Sequence, residues 1–276
     1  MKKIIIVGEN SMLGKAIGDE LSLSNIVLYA GRTLTADIKV DLKDDTVSYS
    51  ENCDVIIHCA ASFKGDKSLE EIRENEQTNS LGTLTVAKLA LQTGCKHFIN
   101  ISTIFSINPT TSYGLSKKHG DENLQYICEL NNIKYTSILP SQIYDGKGIS
   151  QKHQPLFYFL IKKASLGEDI ILYGKEDPVR NFIFLSDVVQ VVKRVVDNAI
   201  EGRFPCISLQ SYPLSKLVEI IVTTLGSSSK IKWDTSKPSI LSYEIPNNFS
   251  LYKLIGYYPE TSLETGIKEI RKQWMK

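Results

Sequence analysis

Short apolar runs alternate with segments of helical period along the first half of the chain. Residues 3–7 (Lys-Ile-Ile-Ile-Val) form a continuous apolar run of strand length, and residues 13–23 carry apolar positions along one helical face. The alternation continues with strands over 26–30, near 37–40, and over 54–61, 97–102 and 134–139. Helices over 69–92 and 113–130 fall between them, the first closed by Gly94 as a stop signal. Strands without a polar face are covered on both sides, and strands that alternate with helices join as parallel neighbours. The pattern therefore predicts an α/β fold with a doubly wound parallel sheet. Past residue 149 the alternation weakens. Helices are expected over 155–166, from an N-cap at Ser186 to residue 199, over 214–225 and within 252–274; strands are expected over 170–173 and 204–209. The strand over 204–209 should return to the main sheet. A first domain of 1–148, with returning elements at about 186–209, would then interleave with a smaller C-terminal domain drawn mainly from 149–276.

Composition adds exclusions. The chain has 276 residues, 42% of them hydrophobic and 23% charged, with a net charge of +1. That balance offers no polyanion-binding surface, so no nucleic-acid partner is expected. The opening Met-Lys-Lys and its apolar run break at Gly8-Glu9-Asn10, too short for a signal peptide. No apolar run approaches the roughly 18 residues that span a bilayer, so no membrane partner is expected and the reading is cytoplasmic. Five cysteines without a C-x-x-C pair fit reduced thiols. His58, His97, His119 and His153 show no ligand spacing; each reads as packing, and no metal is expected.

The candidate chemistry lies where strand 97–102 leads through Thr103 to Ser112-Tyr113-Gly114-Leu115-Ser116-Lys117. Tyr113 and Lys117 are four apart and share one helical face. A phenol is protonated at neutral pH, and a nearby ammonium stabilises its phenolate, so the pair makes a proton donor whose pKa can move toward the working pH. Thr103 offers a hydroxyl that could orient a substrate oxygen. Tyr-x-x-x-Lys arises easily by chance in a chain with 13 tyrosines. Here it follows a hydroxyl-bearing strand end, in a chain that opens with the turn Gly8-Glu9-Asn10-Ser11-Met12-Leu13-Gly14. A strand-turn-helix of that kind presents backbone N–H groups and a helix N-terminus to a pyrophosphate.

Together these residues resemble the short-chain dehydrogenase/reductase superfamily, in its extended branch of NAD(P)-dependent nucleotide-sugar epimerases, dehydratases and reductases, over nearly the whole length. The resemblance implies a Rossmann sheet with a smaller C-terminal substrate-binding domain closing over a nucleotide sugar. Gly8 and Gly14 match the branch's G-x-x-G-x-x-G; Ser11 replaces the middle glycine, which a negative φ would permit. Cofactor contacts are implied for Gly8, Ser11, Met12, Leu13, Gly14, Arg32, Asp41, Leu42, Ala60, Ala61, Tyr113, Lys117, Pro140 and Ile143. The second strand ends at Gly31-Arg32 without a carboxylate. An acidic residue there would read the adenosine ribose, whereas an arginine accepts a 2′-phosphate, so NADP(H) is favoured over NAD(H). The Asn79-Ser80-Leu81-Gly82-Thr83 stretch resembles the branch's Asn-x-x-Gly-Thr, and the tail from Gly256 to Gly266 resembles its C-terminal motif. Gly174 to Phe184 resembles a motif whose arginine, here Arg180, grips a nucleotide diphosphate; Tyr144 is implied to line the sugar site.

The branch's dehydratases follow their threonine with Asp-Glu, where this chain has Ile104 and Phe105. Two apolar side chains cannot move protons, so 4,6-dehydration is not expected. Reduction of a 4-keto sugar nucleotide is the leading expectation, with Thr103, Tyr113 and Lys117 catalytic. A 4-epimerase using tightly held NAD is the alternative, and a non-catalytic cofactor sensor of the same fold a third reading. Helices 69–92 and 113–130 are implied to form a homodimer contact.

Overall fold

Strand β1 (Lys3–Val7) lies inside a parallel sheet, and Ile4, Ile5 and Ile6 are fully buried. Both of its faces are covered, which is why residues 4–7 carry no polar position. The structure, a computed structural model, describes residues 1–274. Further elements of the first half are α1 (Met12–Leu21), β2 (Ile26–Gly31), β3 (Ile38–Asp41), β4 (Thr46–Val47) and β5 (Val55–His58). These are followed by α2 (Leu69–Glu76), α3 (Gly82–Gln92), β6 (His97–Ile101), α4 (Ser112–Leu130) and β7 (Lys134–Pro140). The second half holds β8 (Gln142–Tyr144), α5 (Pro155–Ser165), β9 (Ile170–Tyr173), β10 (Val179–Arg180), β11 (Phe182–Phe184) and α6 (Leu185–Asn198). It continues with β12 (Gly202–Cys206), β13 (Tyr212–Pro213), α7 (Leu214–Leu225), β14 (Ile231–Asp234), α8 (Ser250–Ile255) and α9 (Leu263–Trp274).

The main sheet has the order β12-β7-β6-β5-β1-β2-β3-β4. Its first seven strands are parallel, and β4 pairs antiparallel with β3 at the edge. This is the doubly wound order, with the chain switching direction at β1 and β5, and a crevice at the carboxyl ends of those strands. The expected strand over 204–209 does join this sheet, but as β12 it spans Gly202–Cys206, in register with β7 from Thr136 to Pro140. Ser186 is not an N-cap: α6 begins at Leu185, directly after β11, and takes Ser186 into its first turn.

The expected helix over 69–92 is unbroken, but its hydrogen-bond spacing changes partway along. Between α2 and α3 the residues Gln77–Leu81 form a π-helical turn. The chain divides into two compact units. The first comprises Met1–Pro140, Val189–Cys206 and Asn248–Tyr257; the second comprises Ser141–Val188, Ile207–Asn247 and Tyr258 onward. Unit 2 has its own core, in which Tyr144, Phe157, Tyr158 and Phe182 pack with residues of α5, α7 and α9. Its strands form three two-stranded pairs, β8 with β11, β9 with β14 and β10 with β13. Among the described residues no helix is long and apolar enough to cross a membrane.

Candidate active site

The glycine turn follows β1 as expected. Gly8 has φ +112°, and a Cβ there would lie 2.7 Å from the backbone nitrogen of Ala60. The turn and the tip after β5 thus approach at a distance only glycine allows. Ser11 has φ −70°, the negative value that lets it replace a glycine, and its Oγ accepts from the Gly14 amide at 3.3 Å as N-cap of α1. The amides of Met12 and Leu13 belong to the first turn of α1, where a helix supplies no internal acceptor. Asp41 ends β3 and accepts from the Lys43 amide, while Leu42 packs against Gly82 at the start of α3. Arg32 and Ala61 are exposed, and Ala60 is half-buried.

The end of β2 differs from the sequence reading, which found no carboxylate there. Val7 pairs with Ala30 in register, so the residues just past each strand adjoin. The Glu9 carboxylate reaches across to the tip of β2. Its Oε1 accepts from the Thr33 amide at 3.0 Å and from Asn10 Nδ2 at 3.2 Å. A Cβ on Gly31 would sit 2.3 Å from the Glu9 carboxyl carbon, so the glycine makes the space this carboxylate occupies. Glu9 Oε2 is enclosed and has no hydrogen-bond partner. The signal in the sequence was the pairing of an acid after Gly8 with a glycine at position 31, which has meaning only once β1 and β2 are in register.

Thr103 is buried at the end of β6, and its Oγ1 accepts from the Phe105 amide at 3.4 Å, capping the short 3₁₀ turn Ile104–Ser106. Gly114 lets the start of α4 rest on that turn: a Cβ there would lie 2.5 Å from the Phe105 carbonyl oxygen. Thr111 caps α4 by accepting from the Gly114 amide. Thr103 and the first turn of α4 are thereby brought together. Ile104 is buried, and the two positions after Thr103 carry no titratable group.

Tyr113, Lys117 and Asp121 follow one stripe of α4 at successive intervals of four residues. Lys117 is buried, and its Nζ donates to the carbonyl of Ile101 at 2.7 Å. Burial pushes its pKa down to about 8, opposed by the negative charge of Asp121 and by Cys59. Burial pushes the Tyr113 phenol up to about 12. That reverses the expectation that the lysine draws the phenol toward neutral pH, because enclosing the ring penalises phenolate. At neutral pH Tyr113 is therefore a fully protonated donor. Asp121 is itself held, by Arg203 Nε at 2.8 Å, by Asn100 Nδ2 at 2.9 Å and by the Tyr135 hydroxyl at 2.5 Å.

Two further contacts were not read from the sequence. Phe63 meets the Tyr113 ring edge-on, with centroids 4.8 Å apart. The segment carrying Phe63 is clamped at both ends: Asn79 exchanges hydrogen bonds with the Ser62 backbone at 2.7 and 2.8 Å, and Asn75 with the Lys64 backbone at 3.0 and 3.2 Å. Both asparagines also reach α4, at Ser116 and Ser112. The π turn places Asn79 for this and brings its carbonyl against Gly120.

His58 is fully buried at the end of β5 with both ring nitrogens lacking a partner, and burial beside Lys117 lowers its pKa to about 3. It is thus a neutral packing residue at physiological pH. Among the described residues no group of three or more His, Cys, Asp or Glu could hold a metal ion.

Pro140 is the buried last residue of β7, and Ile143 lies on β8 in unit 2. Tyr144 is 1% exposed, with its ring 5.0 Å from that of Phe157 and 5.1 Å from that of Phe184. It is a core residue of unit 2 and not the sugar-lining residue expected, because aromatic neighbours and Gly266 enclose it. Arg180 is buried over the Tyr243 ring, donates to the carbonyls of Val179 and Leu241, and has its pKa lowered by burial. Asn181, next to it, makes hydrogen bonds to Ser141, Ser208, Gln210 and Ser211.

The family model described as the NAD dependent epimerase/dehydratase family matches residues 4–205. A putative UDP-glucose 4-epimerase of Methanocaldococcus jannaschii is 22% identical over 99% of this chain and 98% of that protein. A dTDP-4-dehydro-6-deoxyglucose reductase of Escherichia coli is 26% identical over 80% of this chain and 75% of its own length. Among solved structures, RMD from Pseudomonas aeruginosa complexed with NADPH superposes with a TM-score of 0.83 at 15% identity, covering 99% of both chains.

Proposed function

The chain belongs to the NAD dependent epimerase/dehydratase family, and on that premise we propose that it reduces a 4-keto sugar carried on a nucleotide, using a nicotinamide dinucleotide. The observation that carries this reading is the buried Lys117 one turn from Tyr113, beside Thr103 and two apolar residues in place of an acid and a base. The turn fits the cofactor: Gly8 and Gly14 keep it open, Ser11 caps α1, and the amides of Met12 and Leu13 face a pyrophosphate. Ala60 and Ala61 allow the dinucleotide to pass, Asp41 and Leu42 flank its adenine, and Pro140 and Ile143 are assigned to the nicotinamide. When bound, the cofactor supplies hydride to the carbonyl carbon. Tyr113 gives its proton to the carbonyl oxygen, which Thr103 orients. The Lys117 ammonium stabilises the phenolate left behind. Ile104 and Phe105 offer no proton transfer for eliminating water.

Unit 2 is assigned to the nucleotide sugar, with Arg180 for the diphosphate; two of its five N–H donors are spent on carbonyls and three remain. A homodimer would cover the exposed Leu81, Leu84 and Leu91 beside and on α3 and Leu115, Tyr126 and Leu130 on α4, and sedimentation would register it. Two residues pull cofactor choice in opposite directions: Arg32 supports NADP(H), and the Glu9 carboxylate supports NAD(H). The second also favours a 4-epimerase that recycles NAD.

One experiment separates the two reactions. The purified protein is denatured and any released dinucleotide identified, then fresh protein is given a 4-keto nucleotide sugar with NADH or NADPH. Consumption of reduced cofactor in step with substrate supports the reductase. Near-stoichiometric bound NAD, with interconversion of C4 epimers and no net cofactor consumption, overturns it in favour of the epimerase.

A further inference from the structure

We propose that Glu9 selects the cofactor, so that this chain binds NAD(H) in preference to NADP(H). The inference rests on the dinucleotide reading above and adds the form of the cofactor and the residue that chooses it. In a doubly wound sheet the adenosine ribose is read at the carboxyl end of the second strand, where a carboxylate accepts from the ribose hydroxyls. Here β2 ends in Gly31, and its own sequence offers no acid. The acid comes from the neighbouring strand's turn.

Three observations make Glu9 a built feature. Gly31 has no side chain where one would collide with the carboxylate: a Cβ would come within 2.5 Å of both Oε1 and Oε2. The Thr33 amide, two residues past the end of β2, donates to Oε1 at 3.0 Å and fixes the group at that strand end. The second oxygen, Oε2, is enclosed and receives no donor from the protein. A carboxylate can accept from several donors at once, and an enclosed oxygen without one is costly. The ribose hydroxyls are donors of the kind the protein itself does not supply.

The same group disfavours a 2′-phosphate. A phosphate ester there would bring further negative charge against a carboxylate held by the backbone. Arg32 is exposed and makes no ion pair with Glu9, so its cation stands in solvent, where its attraction is screened. A fixed repulsion is opposed by a mobile attraction, and discrimination of this kind comes from the repulsive element.

The test is equilibrium binding of NADH and NADPH, followed through protein fluorescence, for the wild type and for Glu9→Gln. Glutamine keeps the length of the side chain and an oxygen for the Thr33 amide but removes the charge. The wild type is expected to bind NADH at least tenfold more tightly than NADPH. In Glu9→Gln the ratio is expected to fall at least tenfold, chiefly through tighter NADPH binding, with the melting temperature of the free protein nearly unchanged. Competition by 5′-AMP and by 2′,5′-ADP repeats the comparison on the adenosine half alone and should show the same reversal. Wild-type protein that binds NADPH as tightly as NADH, or a ratio unmoved by Glu9→Gln, overturns the assignment of Glu9 and leaves the dinucleotide reading intact. Protein that binds neither dinucleotide overturns both.

Discussion

Replacing Lys117 by methionine should make the protein more stable at neutral pH and inactive. The ammonium is held at about 8 where an unfolded lysine titrates at 10.5. That difference corresponds to about 3 kcal/mol by which folding disfavours the charged form. Methionine has similar length and no charge to desolvate, so it removes this cost. It also removes the hydrogen bond to the Ile101 carbonyl, a loss of about 1 kcal/mol. The net gain for Lys117→Met at pH 7 is about 2 kcal/mol, or several degrees in Tm. The pH dependence carries the sign. Between about 8 and 10.5 the unfolded lysine binds more proton than the folded one, so wild-type stability rises with pH through that window. Below about 8 the full penalty applies, and above 10.5 it is gone. Melting curves of both proteins from pH 7 to 10.5 should show the variant ahead at pH 7 and the difference closing, then slightly reversing, by pH 10.5. Taking the difference cancels titrations the two proteins share. A gap constant across that range, or a variant less stable at pH 7, would refute the claim that Lys117 is kept charged against the preference of its surroundings.

Tyr113→Phe keeps the ring against Phe63 and removes the proton, so turnover, followed as oxidation of reduced dinucleotide at saturating cofactor, should fall by about 10²–10⁴-fold. Wild-type turnover should decline above about pH 8 as Lys117 loses its charge, and Asp121→Asn should move that decline to lower pH, because Asp121 raises the lysine's pKa; a pH–rate profile unchanged by the substitution contradicts this. Gly120→Ala should destabilise by about 1–3 kcal/mol despite alanine's better helix propensity, since the new Cβ would lie 2.0 Å from the Asn79 carbonyl oxygen; a raised Tm would show that α4 can move off the π turn.

The parallel sheet was legible because burial on both faces leaves a local signature, a run of β-branched and aliphatic residues with no polar position. Ile4 to Ile6 and Val55 to Ile57 are such runs, and both lie in the interior of the sheet. Thr103, Tyr113 and Lys117 were legible for a related reason: a strand end, a turn and one helical period place them, and all three lie within 15 residues of each other in sequence. What escaped was set by contacts between distant segments. Glu9 reaches Gly31 only through the register of two strands, and Phe63 meets Tyr113 only because Asn75 and Asn79 clamp its backbone. The π turn escaped because a hydrophobic pattern marks a segment as helical without showing which hydrogen-bond spacing each turn takes. Tyr144 was misplaced for the opposite reason: a tyrosine in a Pro/Gly loop looks exposed until the aromatic neighbours that enclose it are known.

The enclosed polar atoms that lack a hydrogen-bond partner lie in the unit that carries the candidate site. The enclosed side-chain atoms without hydrogen-bond partners among the described residues are Glu9 Oε2, both nitrogens of His58, Thr78 Oγ1, Asn100 Oδ1 and Ser137 Oγ, and all belong to unit 1. Three of these residues stand side by side across the sheet, His58 beside Asn100 and Asn100 beside Ser137, with Arg203 next in the row. A core built for stability alone would carry valine or isoleucine there, as the same strands do one residue earlier at Ile57 and Ile99. Unit 2 shows no such atoms among the described residues, although it too is built around buried aromatic and aliphatic side chains. Unsatisfied buried polar groups cost stability and are retained where something other than packing depends on them. Those at Glu9, His58 and Asn100, together with a lysine that burial drives toward neutrality, are what the chemistry proposed for the carboxyl ends of β1, β5 and β6 would retain against their cost in stability.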